Sequence, residues 1–121
     1  MEVYCTYCGK QADYIDSKEH YNNGYSYGML YKCTPCGAWV GVHKGTNVPF
    51  GTLANKELRQ ARMYAHSLID PLWKKLKGDK RKHRSRLYKI MAKHLFLTNG
   101  KCHIGLFDIE TCRRVAEVLD L

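Results

Sequence analysis

The residues able to do chemistry are concentrated in two short stretches, "CTYCGK" at 5 to 10 and "CTPCGAW" at 33 to 39. Each is a C-x-x-C-G unit. That spacing sets two thiolates on one side of a tight loop, and Gly9 or Gly37 supplies the left-handed backbone that turns N–H groups toward sulfur. Two such turns give four soft donors, the complete tetrahedral shell of a structural zinc. A shell closed in this way keeps no position for water and does no catalysis. Cys5, Cys8, Cys33 and Cys36 are therefore expected to hold one Zn2+. Four buried free thiols are the plain alternative, which the paired spacing disfavours.

A second feature is electrostatic. Residues 1 to 50 hold four basic and four acidic side chains, so the formal charge of +9 arises wholly in the remaining residues. Within them "KKLKGDKRKHRSR", 74 to 86, has eight Lys or Arg and one Asp. Lys74, Lys75, Lys77, Lys80, Arg81, Lys82, Arg84 and Arg86 suit contact with several phosphates of DNA or RNA. Trp73 and Tyr88 beside them have rings for stacking on bases. A merely solvated face and an acidic protein surface are the two competing readings.

Other donor atoms are scattered. His66, Cys102, His103 and Cys112 have the atoms for a second metal. Against this, the C-x9-C spacing is not a knuckle, and Cys112 falls on an apolar helix face where a core role is the simpler reading. His43, His66 and His103 with Asp108 suggest a small metal-dependent nuclease, an alternative for which sequence supplies no geometry. The loop "HKGTNVPFG", 43 to 51, precedes a helix start. It reads as a turn-forming joint with an anion site as its rival, and it lacks the Gly-Lys-Ser/Thr ending of a nucleotide-binding loop.

These residues need elements to place them. Strand-like pieces "ADYI" (12 to 15), "YSYGMLYK" (25 to 32) and "AWVGVH" (38 to 43) surround the knuckles and predict a zinc ribbon. Farther on, Thr52 or Asn55 is expected to cap a helix with Leu58, Ala61, Ala65, Leu68 and Ile69 inward, ending at Asp70-Pro71. "DPLWKKLKG" is expected as a short second helix stopped by Gly78, and residues 79 to 84 as a mobile basic loop. Ser85 should cap a third helix with Leu87, Ile90, Met91, His94 and Leu95 inward. Asp108 should cap a fourth that buries Ile109, Cys112, Val115, Ala116 and Leu119.

The length of 121 residues allows one compact domain or two small units. No apolar run is long enough for a bilayer and the N-terminus lacks the sections of a signal peptide, so a cytoplasmic protein is expected. In a reducing cytoplasm the six cysteines are not a disulfide framework.

With those residues in view, a resemblance can be stated. The run His43, Gly45, Thr46, Asn47, Pro49, Gly51, Thr52, Leu53 and Ala54 is followed by Leu58, Arg59, Arg62, Ala65, His66, Asp70, Pro71, Leu72 and Trp73. Together they resemble the signature of a family of small zinc-finger-containing proteins of phages and prophages. "CHIGLFD" (102 to 108) with Cys112 is similar to that family's C-terminal motif. The resemblance implies zinc at the two knuckles and a host bacterial cytoplasm, and supplies no activity. It also implies a class of partner, since some small zinc-binding phage proteins resemble anti-CRISPR inhibitors of Cas9-type effectors.

The expectation is an α+β protein in which a four-cysteine ribbon (1 to 43), a connecting loop (44 to 54) and a basic helical region (55 to 121) form one compact unit. Its expected function is non-enzymatic: binding and inhibiting or modulating a host nucleic-acid machine, a protein or ribonucleoprotein effector of the Cas9 type. Direct, non-specific DNA or RNA binding is the first alternative. A helix-turn-helix is not expected, because "LTNGKCHIGLF" is too long for its turn.

Overall fold

The computed structural model describes residues 1 to 119. They fall into two compact units, residues 1 to 56 and the residues from 57 onward, and the architecture is α+β.

The first unit contains a three-stranded antiparallel sheet, β1 (Asp13–Asp16), β2 (Met29–Cys33) and β3 (Ala38–Gly41), with β2 central. Tyr14 lies opposite Tyr31, and Tyr31 opposite Val40. Because side chains alternate along a strand, this register gathers Tyr31, Cys33, Ala38 and Val40 on one face. All four are buried, and they pack with Cys5, Ala12 and Leu53. A five-residue helix that the sequence reading missed, α1 (Ser17–Tyr21), follows β1. The Asp16 carboxylate accepts from the Lys18 N–H at 2.9 Å to start it, and Asn22 closes it at φ 53°. Its His20 and Tyr21 rings lie 4.9 and 6.0 Å from the Trp39 ring.

Residues 44 to 54, expected as a connection, belong to this first unit. They turn back along β3: His43 N–H donates to Val48 C=O at 2.9 Å, Phe50 N–H to Gly41 C=O at 3.0 Å, and Ala54 N–H to Trp39 C=O at 3.0 Å. The Tyr31 hydroxyl donates to Asn47 C=O at 2.7 Å and pins the tip of the turn. The stretch thus spends its backbone groups much as a sheet edge does.

The second unit is helical: α2 (Lys56–Lys74), α3 (Lys80–Leu95) and α4 (Ile109–Val118), with two short turns of 3₁₀ helix between α3 and α4. Two expectations about these helices fail. Pro71 does not end α2, which continues through it to Lys74. Proline lies in the last turn, and Trp73 Nε1 donates to the Asp70 carboxylate at 3.2 Å across it. Proline forfeits the bond that an N–H at 71 would make to the Ser67 carbonyl, but the residues after it keep their donors and continue the turn.

Residues 79 to 84 are not a loop either. Asp79 accepts from the N–H groups of Arg81 and Lys82 at 3.0 and 3.4 Å, which starts α3 five residues before the cap predicted at Ser85. Lys and Arg are good helix formers, and their charged ends reach water from a helix as readily as from a coil.

The core of this unit joins Ala65 and Ile69 of α2, Tyr88, Met91, Ala92 and Leu95 of α3, Cys112 and Val115 of α4, and Cys102, Ile104 and Phe107 before α4. Starting α3 earlier leaves its inward face intact except at Ile90 and His94, both exposed. The predicted Asp108 cap is found: its carboxylate accepts from Thr111 N–H at 2.8 Å. No helix among the described residues is long and apolar enough to cross a membrane.

Candidate functional site

The two knuckles meet at the Cys33–Ala38 end of the sheet. The first is a small hairpin, with Tyr4 bridged to Gln11 and Cys5 N–H donating to Lys10 C=O at 2.8 Å. Gly9 and Gly37 take φ 76° and 70°, and each N–H returns to the first cysteine of its own turn, to Cys5 C=O at 2.9 Å and to Cys33 C=O at 2.8 Å. A side chain at either glycine would strain this backbone. Tyr7 N–H points at Cys5 Sγ, 3.4 Å away, which supplies the N–H···S contact expected around a thiolate.

The sulfurs of Cys5, Cys8, Cys33 and Cys36 all lie within 4.8 Å of one another, with Cys8 and Cys33 at 3.6 Å. Tetrahedral ligation at a Zn–S length of about 2.3 Å requires sulfurs roughly 3.8 Å apart, so the donor set fits one structural zinc. Cys5 and Cys33 are buried and Cys8 and Cys36 lie at the surface, so the metal would join the core to the rim of the sheet.

Thiol acidity supports the same conclusion. The Lys10 backbone N–H lowers Cys8 to about 7, whereas hydrogen bonding to Cys8 and burial push Cys36 up to about 12. Without a cation, the first sulfur to ionise makes the last far harder to ionise. A dication removes that conflict by stabilising all four thiolates together.

The basic residues lie elsewhere. Lys74 ends α2, Lys75 and Lys77 lie in the turn, and Lys80, Arg81, Lys82, Arg84 and Arg86 occupy the first two turns of α3. All eight are exposed. Two of them also have structural work. Lys80 Nζ donates to the carbonyls of Lys74 and Leu76 at the end of α2, and the Arg84 guanidinium lies 4.6 Å from the centre of the Tyr88 ring. Tyr88 is buried in the helical core and not presented for stacking. Trp73 is partly buried against that core.

The proposed second metal set is not gathered: among the described residues, the four cysteines are the only group of three or more suitable donors. His66 pairs with Asp70 at 3.6 Å on α2. Burial pushes the Cys102 and Cys112 thiols up, as suits protonated core residues. The nuclease residues are likewise engaged locally. His43 packs edge-on against Phe50 at 4.6 Å, the His103 ring lies 6.5 Å from that of Tyr88, and Asp108 caps α4.

One residue of the resembling run has a place that the sequence did not assign. Arg62 is buried on α2 and its Nε donates to Phe107 C=O at 3.0 Å. Its place on the Leu58–Ala65–Ile69 stripe was the available signal.

The chain matches the model of the zinc-finger-containing domain family over residues 1 to 120, and it belongs to that family. No curated protein and no solved structure is similar to it.

Proposed function

We propose that this member of the zinc-finger-containing domain family is a non-enzymatic binding protein: zinc supports its ribbon, and the cations of α3 engage the phosphates of a nucleic acid. The observation that carries the reading is the order of the basic run. Arg81, Lys82, Arg84 and Arg86 stand on a capped helix with their charged ends in water. An anion therefore meets side chains on a fixed backbone and orders less of the chain on binding than it would with a coil.

Binding of random duplex DNA and random RNA should fall steeply as salt rises from about 50 to 200 mM. Five phosphate contacts correspond to a loss of roughly five-hundredfold. Exchange of Lys80, Arg81, Lys82, Arg84 and Arg86 for glutamine should abolish both the affinity and its salt dependence. Weak binding that ignores these substitutions would sink the reading.

A second reading, inhibition of a ribonucleoprotein effector of the Cas9 type, is favoured by another observation. The helical unit exposes Met63, Tyr64, Ile90 and Phe96, the last at 89%. Nucleic acid alone would leave such residues in water, whereas a protein surface would cover them. Net positive charge rules out mimicry of DNA, so inhibition would act by occupying a surface or blocking a movement. Co-elution with a guide-loaded effector at physiological salt, lost on Phe96→Ser, supports this version; separate elution counts against it.

A further inference from the structure

The ribbon carries a groove at the end of the sheet away from the cysteines. Met29 and Val42 lie on the same sheet face as Tyr31 and Val40, and the pinned 43 to 50 turn forms one wall. Its volume is about 970 Å³, at the upper end of the roughly 300–1,000 Å³ usual for small-ligand sites.

Three rings line it, and each is held from behind by another. Phe50 has His43 edge-on at 4.6 Å and rests on Gly41, where a Cβ would meet the Phe50 ring at 3.4 Å. Tyr14 lies against Tyr31 at 4.8 Å, and Tyr27 edge-on to Tyr21 at 5.5 Å. Despite this support, Tyr14, Tyr27 and Phe50 remain 43%, 68% and 56% exposed. Rings that are both immobilised and wet lose little entropy when a flat partner arrives.

The polar lining suits one kind of partner. Lys44 is the charged side chain of the groove, and among the described residues no carboxylate lines it. The Asn47 main chain is committed to Tyr31, and its side chain brings an amide donor and acceptor to the same wall. Aromatic plates, one cation and one amide match a base, its phosphate and its polar edge.

We propose that this groove receives an unpaired nucleotide, with the base against Tyr27 and Phe50, its phosphate at Lys44 and its edge at Asn47. The ribbon then selects single strands and α3 adds general affinity for the backbone; the proposal rests on the nucleic-acid reading above. The 43 to 50 turn is on this account a wall of the groove.

The test uses the full-length, zinc-loaded protein with oligo(dT), oligo(U) and a matched duplex, each about twelve nucleotides long, within a common single-strand site size. Expected is a preference for the single strands that survives salt high enough to release the duplex. Tyr27→Ala and Phe50→Ala should each lower single-strand affinity by about tenfold, within the usual worth of one stacked base, and leave duplex affinity unchanged. Tyr27→Phe, which keeps the ring, should bind as the parent does.

Unchanged single-strand binding in both alanine variants overturns the groove while leaving the α3 reading intact. The five-glutamine α3 variant fails separately: single-strand binding that persists there and disappears in Tyr27→Ala sinks the earlier reading and keeps the groove. No binding to any of the three probes sinks both. Zinc content of one per chain in the Tyr27 and Phe50 variants, and unchanged helical circular dichroism in the α3 variant, exclude unfolding as the cause.

Discussion

The two units of this chain solve the same problem by different means. The ribbon's core cluster has seven buried residues, two of them cysteines of the zinc site, whereas the cluster of the helical unit has eleven around α2, α3 and α4. A piece of fewer than sixty residues with so little apolar burial depends on a metal, and zinc contributes roughly 10–16 kcal/mol in small zinc peptides at neutral pH. The helical unit, of similar length, has side chains large enough to exclude water from its centre. Identical size therefore does not imply identical dependence on metal. What decides is the apolar volume that each stretch can bring inside.

The sharpest way to break this contrast is to remove the metal. Chelation, or Cys33→Ser, should unfold Met1–Lys56 by forfeiting stabilisation of that roughly 10 kcal/mol order, while helical circular dichroism from α2 and α3 persists. Simultaneous loss of both signals would show that the helical unit has no stability of its own. The reverse experiment is Phe107→Ala, which empties a fully buried position and should destabilise the helical unit by about 3–5 kcal/mol. Zinc stoichiometry, measured on the same variant, should stay at one.

A smaller effect separates the units by pH. The Thr111 N–H holds Asp108 below its ordinary value of 3.8. A depressed carboxyl contributes stability that is complete above the unfolded value and is lost as pH falls through the folded one, so α4 should weaken below about pH 3.8. Asp108→Asn keeps a capping oxygen that does not titrate, and should flatten this acid limb. Asp108→Ala should cost about 1 kcal/mol at neutral pH, measured by denaturant unfolding. The smallest change is expected for Arg81→Gln with Lys82→Gln, within about 0.5 kcal/mol in stability because both are exposed. Those two sites separate binding from folding most cleanly.

The parts of the molecule differ in how far residue order reveals them. Cys5-x-x-Cys8 and Cys33-x-x-Cys36 are legible because a zinc shell fixes both residue type and local spacing. Asp108 is legible because a cap acts on N–H groups two and three residues away. Asp79 is the same kind of cap, yet the eight Lys and Arg around it obscured a signal that was present. Charge told where the side chains end, not what the backbone does. Pro71 misled differently: a proline inside a helix forfeits one backbone bond without forcing the chain to stop, and whether the helix goes on is decided by packing that the local sequence does not hold. The groove was illegible because Tyr14, Tyr27 and Phe50 become neighbours only through the sheet register and the return of the 43 to 50 turn.

The helical start of α3 bears also on the life of the protein among proteases. A trypsin-like enzyme binds its substrate extended, and eight Lys and Arg between residues 74 and 86 offer a dense set of cleavage points. Capped by Asp79, with Lys80 fastened to the end of α2, the segment from Lys80 onward must open before it can enter an active site. The cations of α3 are thereby guarded by their own backbone, and the survival of that segment after synthesis is set by how often one helix end frays.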